Sequence, residues 1–501
     1  MQSKRRFGRF VRSIFSYSIL GLLFFSSCNK LVTVPNPISS VTTTQVFSSD
    51  ATATSAMMGV YSYMSQNPAF SNFQTTYLCG KSADELTDET GGNEIYDDFL
   101  VNKLTALNDG PTVLGAFWQS AYFDIYSANA VIAGLQSSTG VSSATRNQLT
   151  GEAEFVRAFC YFYLTNIFGD VPLDLNIDFN QTVLLPSAPQ AKIYQQILSD
   201  LQNAQTLMIS DFSLSNGWPI RANKWAATAL LARVYLYRQN WDSAYLAANA
   251  VINSRQFSLV PLPLIPADGV PGAPSNGGPA PLSDSDVFAA NSAEAILQLQ
   301  TVNTWPYATQ EGNFFVPYDS NSYANCWLTS QLLGAFEPND LRRIDWVYST
   351  DPGGNGIYYY CPYKYQIMAG NGWPAAENYT LLRLAEQYLI RAEAEANGAG
   401  GGSGAAISDL DTIRGRANLA ALSPTMTGDS LMAAVQQEWR IEFFAEWGHR
   451  WLDLKRWGKA VGILDSIPYK KGRINSNQLL YPIPLIETQT DPNLTQNPGY
   501  N

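Results

Sequence analysis

The stretch Gln436–Trp457, QQEWRIEFFAEWGHRWLDLKRW, constrains the fold of this chain more than any other. Placed on a helix, Glu438, Glu442 and Glu446 recur every fourth residue and line one stripe, in the same angular sector as Leu431 and Val435. Trp439, Ile441, Phe443, Phe444, Ala445 and Trp447 cover the rest of the circumference, and a helix apolar nearly all round is buried. Carboxylates on such a helix need cationic partners, because an isolated buried charge is far too costly. Candidates follow at Arg450, Lys455 and Arg456, with Arg440 on the helix itself and Arg391, Arg414 and Arg416 upstream. Gly448 is expected to stop the helix and fold Arg450, Asp453 and Arg456 back onto the stripe, closing a buried ionic lock. The competing reading is a catalytic carboxylate pair of the glycosidase kind. Against it, the interleaved Trp and Phe leave no gap for a substrate, and arginine partners hold carboxylates ionised rather than raising one pKa.

The start of the chain carries a second signal. Lys4, Arg5, Arg6, Arg9 and Arg12 precede an apolar run from Ile14 to Phe25, too short to span a bilayer as a helix, and then Phe25-Ser26-Ser27-Cys28. This pattern predicts a lipoprotein signal peptide over residues 1–27, with Cys28 as the lipidated N-terminus that anchors the body to a membrane. Residues 28–50, rich in Pro, Ser and Thr, read as a tether. Setting the five leader cations aside leaves 26 basic against 42 acidic residues, which argues against nucleic acid as a partner. With a single histidine, His449, and no Cys/His cluster, there is no material for a zinc site or a histidine-based triad, and no cofactor is expected. Cys79, Cys160, Cys326 and Cys361 are widely spaced; disulfides and buried thiols both remain open.

Beyond the tether, helical spacing over Ala51–Met64 gives way to an irregular, polar stretch from Asn67 to Gly92. Its acidic residues Asp84, Glu85, Asp88 and Glu89 lack EF-hand spacing; a solvated loop is the expectation, with sugar hydroxyls or calcium as alternatives. Helices are predicted over Phe117–Leu135, Glu152–Ile167, Ile193–Leu207, Asn223–Arg238 and Trp241–Ile252. In the last pair, Leu231, Ala232, Tyr235, Trp241 and Ala244 follow a degenerate tetratricopeptide hairpin, whose small residues let two antiparallel helices approach closely. A second hairpin is read over Tyr379–Gly398 and Ala405–Leu419. The fold class is therefore mostly α, an α-α superhelix of tetratricopeptide-like helix pairs with the intervening material inserted on one face.

Two inserted stretches stand out. Gln256–Asp286 is a loop rich in Pro, Gly and Ala, and from Trp305 to Trp373 aromatic residues crowd without helical period. Such side chains offer flat faces on which sugar rings stack. Trp305, Tyr307, Tyr318, Tyr323, Trp327, Tyr358, Tyr360 and Trp373, with Asp84 for hydroxyls, are the candidate ligand residues.

RANKWAATALLARVYLY from Arg221, RLAEQYLIRAEAEAN from Arg383, IRGRANL from Ile413, EWRIEFFAEWGHRWLDLKRW from Glu438 and YPIP…DPNLTQNPGY from Tyr481, together with the Cys28 site, resemble the SusD/RagB family of outer-membrane nutrient-binding lipoproteins of Bacteroidota. The resemblance implies one SusD-like domain over 51–501, with an N-terminal part to about 255 and a C-terminal part from about 290. It also implies a non-catalytic lid on a SusC-like TonB-dependent transporter, lipid-anchored in the outer membrane and facing outward, that captures oligosaccharides or, in some members, peptides. Here Trp439 stands where a second basic residue is frequent, and Asn29-Lys30 where acidic residues often follow the lipidated Cys. A surface glycosidase using Asp84, Glu85, Asp88 or Glu89 and a pure peptide-binding scaffold are the competing expectations.

Overall fold

Why the helices start where they do is visible at their caps. The helices are α1 (Asp50–Gln66), α2 (Phe73–Ser82), α3 (Gly115–Ser137), α4 (Ser143–Phe168), α5 (Gln190–Leu207), α6 (Lys224–Tyr237), α7 (Trp241–Asn253), α8 (Leu384–Ala396), α9 (Gly402–Arg416), α10 (Gly428–Glu442) and α11 (His449–Arg456), besides several of one or two turns. The Asn223 side chain accepts from Trp225 N–H (2.9 Å) and Ala226 N–H (3.1 Å) to open α6. Asn240 does the same for α7 through Ser243 N–H, so polar caps set the ends while apolar faces set the packing.

The computed structural model describes residues 43–66, 70–71, 73–88, 94–106, 113–263, 286–301, 307–319, 321–368 and 376–500. The leader, Cys28 and most of the tether, Glu89, the centre of the Pro/Gly loop, Trp305 and Trp373 lie outside them. The chain divides at residue 46; before it the described residues form a single helical turn, Thr43–Val46.

From Phe47 onward, α3 packs on α4, α4 on α5, α5 on α6, α6 on α7, α7 on α8, and α8 on both α9 and α10. This nearest-neighbour succession is the α-α superhelix anticipated from the repeat spacing. Close approach comes from small residues: Ala232, Ala244, Ala248, Ala385, Ala392 and Ala406 are buried together between α6, α7, α8 and α9. Buried ion pairs tie the layers, Arg157 to Asp200 (2.7 Å) across α4 and α5, and Arg233 to Glu386 (2.5 Å) across α6 and α8. Cys79, Cys160, Cys326 and Cys361 are all buried and free.

Short antiparallel strand pairs carry the insertions. β1 (Leu86–Thr87) pairs with β3 (Trp327–Leu328), β2 (Ala295–Leu299) with β6 (Tyr379–Arg383), and β4 (Val347–Thr350) with β5 (Tyr359–Pro362). Three local expectations fail here. Phe73–Ser82 is a helix rather than irregular chain: Thr75 and Thr76 bury by bonding Phe70 O (2.7 Å) and Glu311 (2.5 Å), so its polar residues mark inward contacts, not solvent. Tyr379–Arg383 is a strand rather than the start of a helix, because β2 lies beside it. The helix bearing the carboxylate stripe ends at Glu442, not at Gly448. Ala445, Trp447 and Gly448 take positive φ, a reversal that buries Phe443, Phe444 and Trp447 together.

Candidate functional site

Glu438 and Glu442 lie on the buried face of α10, and the reversal after it brings Glu446 beside them. Each is matched by cations that come from far away in the chain. Arg383, last residue of β6, reaches Glu442 (2.5 Å), Glu446 (2.8 Å) and Glu294 (3.0 Å). Arg416 joins Glu294 (2.6 Å) and also Glu442. Arg342 bonds Asp340 (2.9 Å), Glu438 (3.0 Å) and Glu442 (3.2 Å), while Arg414 links Glu438 (2.7 Å) to Glu337 (2.6 Å). Lys364 donates to Glu446 (3.1 Å) and to the Glu442 carbonyl (2.8 Å). Burial works to raise the Glu442 pKa, but the guanidiniums of Arg416, Arg383 and Arg342 outweigh it and hold the carboxyl well below its usual range. Such a group accepts hydrogen bonds and donates no proton.

The partners are only in part those expected. Arg414 and Arg416 belong to the cluster, whereas Arg450 and Arg456 do not. Arg456 bonds Asp453 (2.7 Å) and Glu393 instead, and Arg391 pairs with Asp409 (2.7 Å). The cause is the early end of α10: the reversal lets His449, Trp451 and Asp453 of α11 face inward while Arg450 sits half-buried beside Arg440. The cluster also does not clasp the C-terminal tail. It joins β6, α9 and α10 to the insertion through Glu294, Asp340, Arg342 and Lys364.

Trp346 forms the boundary between this cluster and the aromatic insertion. Its buried ring lies 4.8 Å from the Lys364 ammonium, 5.7 Å from Arg416 and 5.8 Å from Arg383. β4 and β5 leave from it toward the surface, and there the rings open outward. Trp327 is 5% exposed; it packs on Tyr359 (4.8 Å between centroids), which in turn meets Tyr323 at 5.5 Å edge to face. Tyr323 is 60%, Tyr358 57% and Tyr318 76% exposed. Polar backbone turns surround them: the Asp319 carboxylate accepts from Asn321 N–H and the Ser322 hydroxyl, and Asp351 accepts from Asn355 and Gly356 N–H.

Of the candidate ligand residues, Tyr318, Tyr323 and Tyr358 therefore stand at the surface, and Trp327 stands behind Tyr323 as support. Tyr360 is half-buried beneath the Arg343 guanidinium (4.5 Å), and Tyr307 is half-buried with φ of 60°. Asp84 is removed from the surface altogether: it is 2% exposed and its carboxylate accepts from the Tyr469 hydroxyl. The chain turns inward there because Asp84 O and Glu85 O accept from Thr329, anchoring β1 to β3. Tyr359, which was not among the candidates, is the ring that joins Trp327 to Tyr323; its place in a run of three tyrosines gave no sign of which one points inward. Among the described residues no cluster of His, Cys, Asp or Glu could hold a metal ion, and no helix is long and apolar enough to cross a membrane.

Comparison with known proteins agrees with this architecture. SusD-like protein P2 of Formosa agariphila is 27% identical over 96% of this chain and 98% of its own length. A SusD superfamily protein from Bacteroides vulgatus superimposes with a TM-score of 0.73 at 21% identity, covering 91% of this chain and all of that one. Surface glycan-binding protein A from Bacteroides thetaiotaomicron, solved with laminarihexaose, gives 0.70 at 19% identity over 90% of this chain and 99% of its own. A family model described as the SusD family matches residues 301–500, and one described as starch-binding associating with outer membrane matches residues 35–236. With both halves matched, the chain belongs to the SusD/RagB family.

Proposed function

We propose that the protein is a lipid-anchored outer-membrane receptor that binds oligosaccharides on the Tyr318, Tyr323 and Tyr358 surface and passes them to a SusC-like TonB-dependent transporter, without chemistry of its own. The observation that carries this reading is an exposed ring, Tyr323, held by the half-buried Tyr359 and the buried Trp327 behind it. A stacking face that is rigid before the ligand arrives loses little entropy on binding. The fold shared with a laminarihexaose-binding protein and the starch-binding description of its N-terminal half support a glycan as the class of ligand. The Cys28 site supports the anchor.

Calorimetric titration with laminarihexaose tests the site: Tyr323→Ala should weaken binding by about 1–3 kcal/mol if the ring stacks on sugar. Binding to peptides with no glycan bound would replace the saccharide reading by a peptide one. Mild-detergent purification of the native lipoprotein should bring with it a large β-barrel identified by mass spectrometry; recovery as a lone monomer would remove the transporter.

A further inference from the structure

A cavity of about 610 Å³ opens on the helical side of the molecule, built from α5, α6 and α7 rather than from the aromatic insertion. That volume falls within the range of roughly 300–1,000 Å³ typical of small-ligand sites. One wall is the half-buried Trp225, whose indole N–H donates to Ser210 O (2.8 Å) and fixes the plane of the ring. Met208 and Ile209 continue the apolar wall. The opposite rim is polar: Gln205, which donates to the Thr228 hydroxyl (2.7 Å), and the exposed Thr206 and Ser210. Lys224 lies at the mouth, its ammonium 5.4 Å from the Trp225 ring and without a hydrogen bond or ion pair among the described residues. No carboxylate lines the cavity.

We propose that this cavity is a second saccharide site, distinct from the aromatic loop surface. A pyranose has an apolar C–H face and an edge of hydroxyls. The Trp225, Met208 and Ile209 wall suits the face, and the rim from Gln205 to Ser210, with the free ammonium of Lys224, suits the edge. The absence of acidic lining residues turns the site away from cationic ligands.

Saturation-transfer NMR with laminarihexaose, maltohexaose and cellohexaose tests this on the folded protein. In a Tyr323→Ala/Tyr358→Ala background at least one sugar should still bind, and adding Trp225→Ala should weaken that residual binding about tenfold, with Trp225→Phe retaining most of it. Thr206→Arg, which fills the mouth from an exposed position, should weaken it at least as much. Two results overturn the proposal: no residual binding of any of the three sugars in that background, or residual binding that survives both Trp225→Ala and Thr206→Arg.

Discussion

On one side of Trp346, five cations and six carboxylates share partners so densely that eight of the eleven have two or more. On the other, rings touch one or two neighbours and then face water. The first region has a conformation that no single contact decides; the second has a rigid base and exposed tips. The difference separates what holds the fold from the surface proposed to meet a ligand. Buried ion pairs add little net stability over apolar replacements, yet removing one partner leaves the others stranded. Exposed rings add little to stability and can be exchanged freely.

The sharpest break should come at Glu442. Glu442→Ala leaves Arg383, Arg416 and Arg342 short of an anion, and chemical denaturation should show a loss of about 3–5 kcal/mol. Near-normal stability would mean the cluster is redundant. Next, Trp327→Ala empties a buried ring site, costing about 3–5 kcal/mol in the same assay, and it should also weaken glycan binding through the loss of support for Tyr359 and Tyr323.

Glu311 sharpens the contrast through pH. Burial lifts its pKa to about 8, against the Thr76 and Tyr379 hydroxyls that bond it, so the folded state keeps a proton that the unfolded chain has released above pH 4.5. Wild-type stability therefore falls as pH rises from about 4.5 to about 8, by up to about 1.4 kcal/mol per pH unit from this group. Glu311→Gln should flatten that part of the profile and be the more stable protein at pH 8. Glu442 runs the opposite way: its lowered pKa contributes stability above the unfolded value of 4.5 that is lost on acidification. The smallest effect is expected for Tyr318→Ala, within about 0.5 kcal/mol of wild-type stability.

How much of this was legible follows the range of the interactions. Helices α3, α5 and α7 could be read because each has a solvent face and an inner face, a local contrast, while α4 and α6, buried on nearly every side, showed themselves as long apolar and Ala-rich runs. α2 escaped notice because it is buried on nearly every side, so Thr75, Thr76, Lys81 and Ser82 are polar without being exposed. The stripe Glu438, Glu442 and Glu446 declared its need for cations, but Arg342, Lys364 and Arg383 lie 55 or more positions away, and nothing near the stripe distinguishes them from other basic residues. Aromatic density drew attention to the insertion as a region, without sorting its rings. Whether a given ring is a tip, as Tyr323 is, or a prop, as Trp327 is, depends on strand pairing between Thr87 and Trp327, which the local pattern does not reveal.

The residues that close the molecule arrive last in the chain. Trp447 N–H donates to Thr76, the Tyr481 hydroxyl bonds Ser82, and Asn497 donates to Phe168 O, each across more than 300 residues. Such contacts have to wait for most of the polypeptide, since loop closure over that span precedes any gain from them. A chain interrupted before Glu438 would have its helix pairs but neither the cluster nor these distant bonds. That ordering makes the stretch from Glu438 onward the part that completes the fold: the helix pairs need only near neighbours, whereas these closing contacts need both ends of the chain at once.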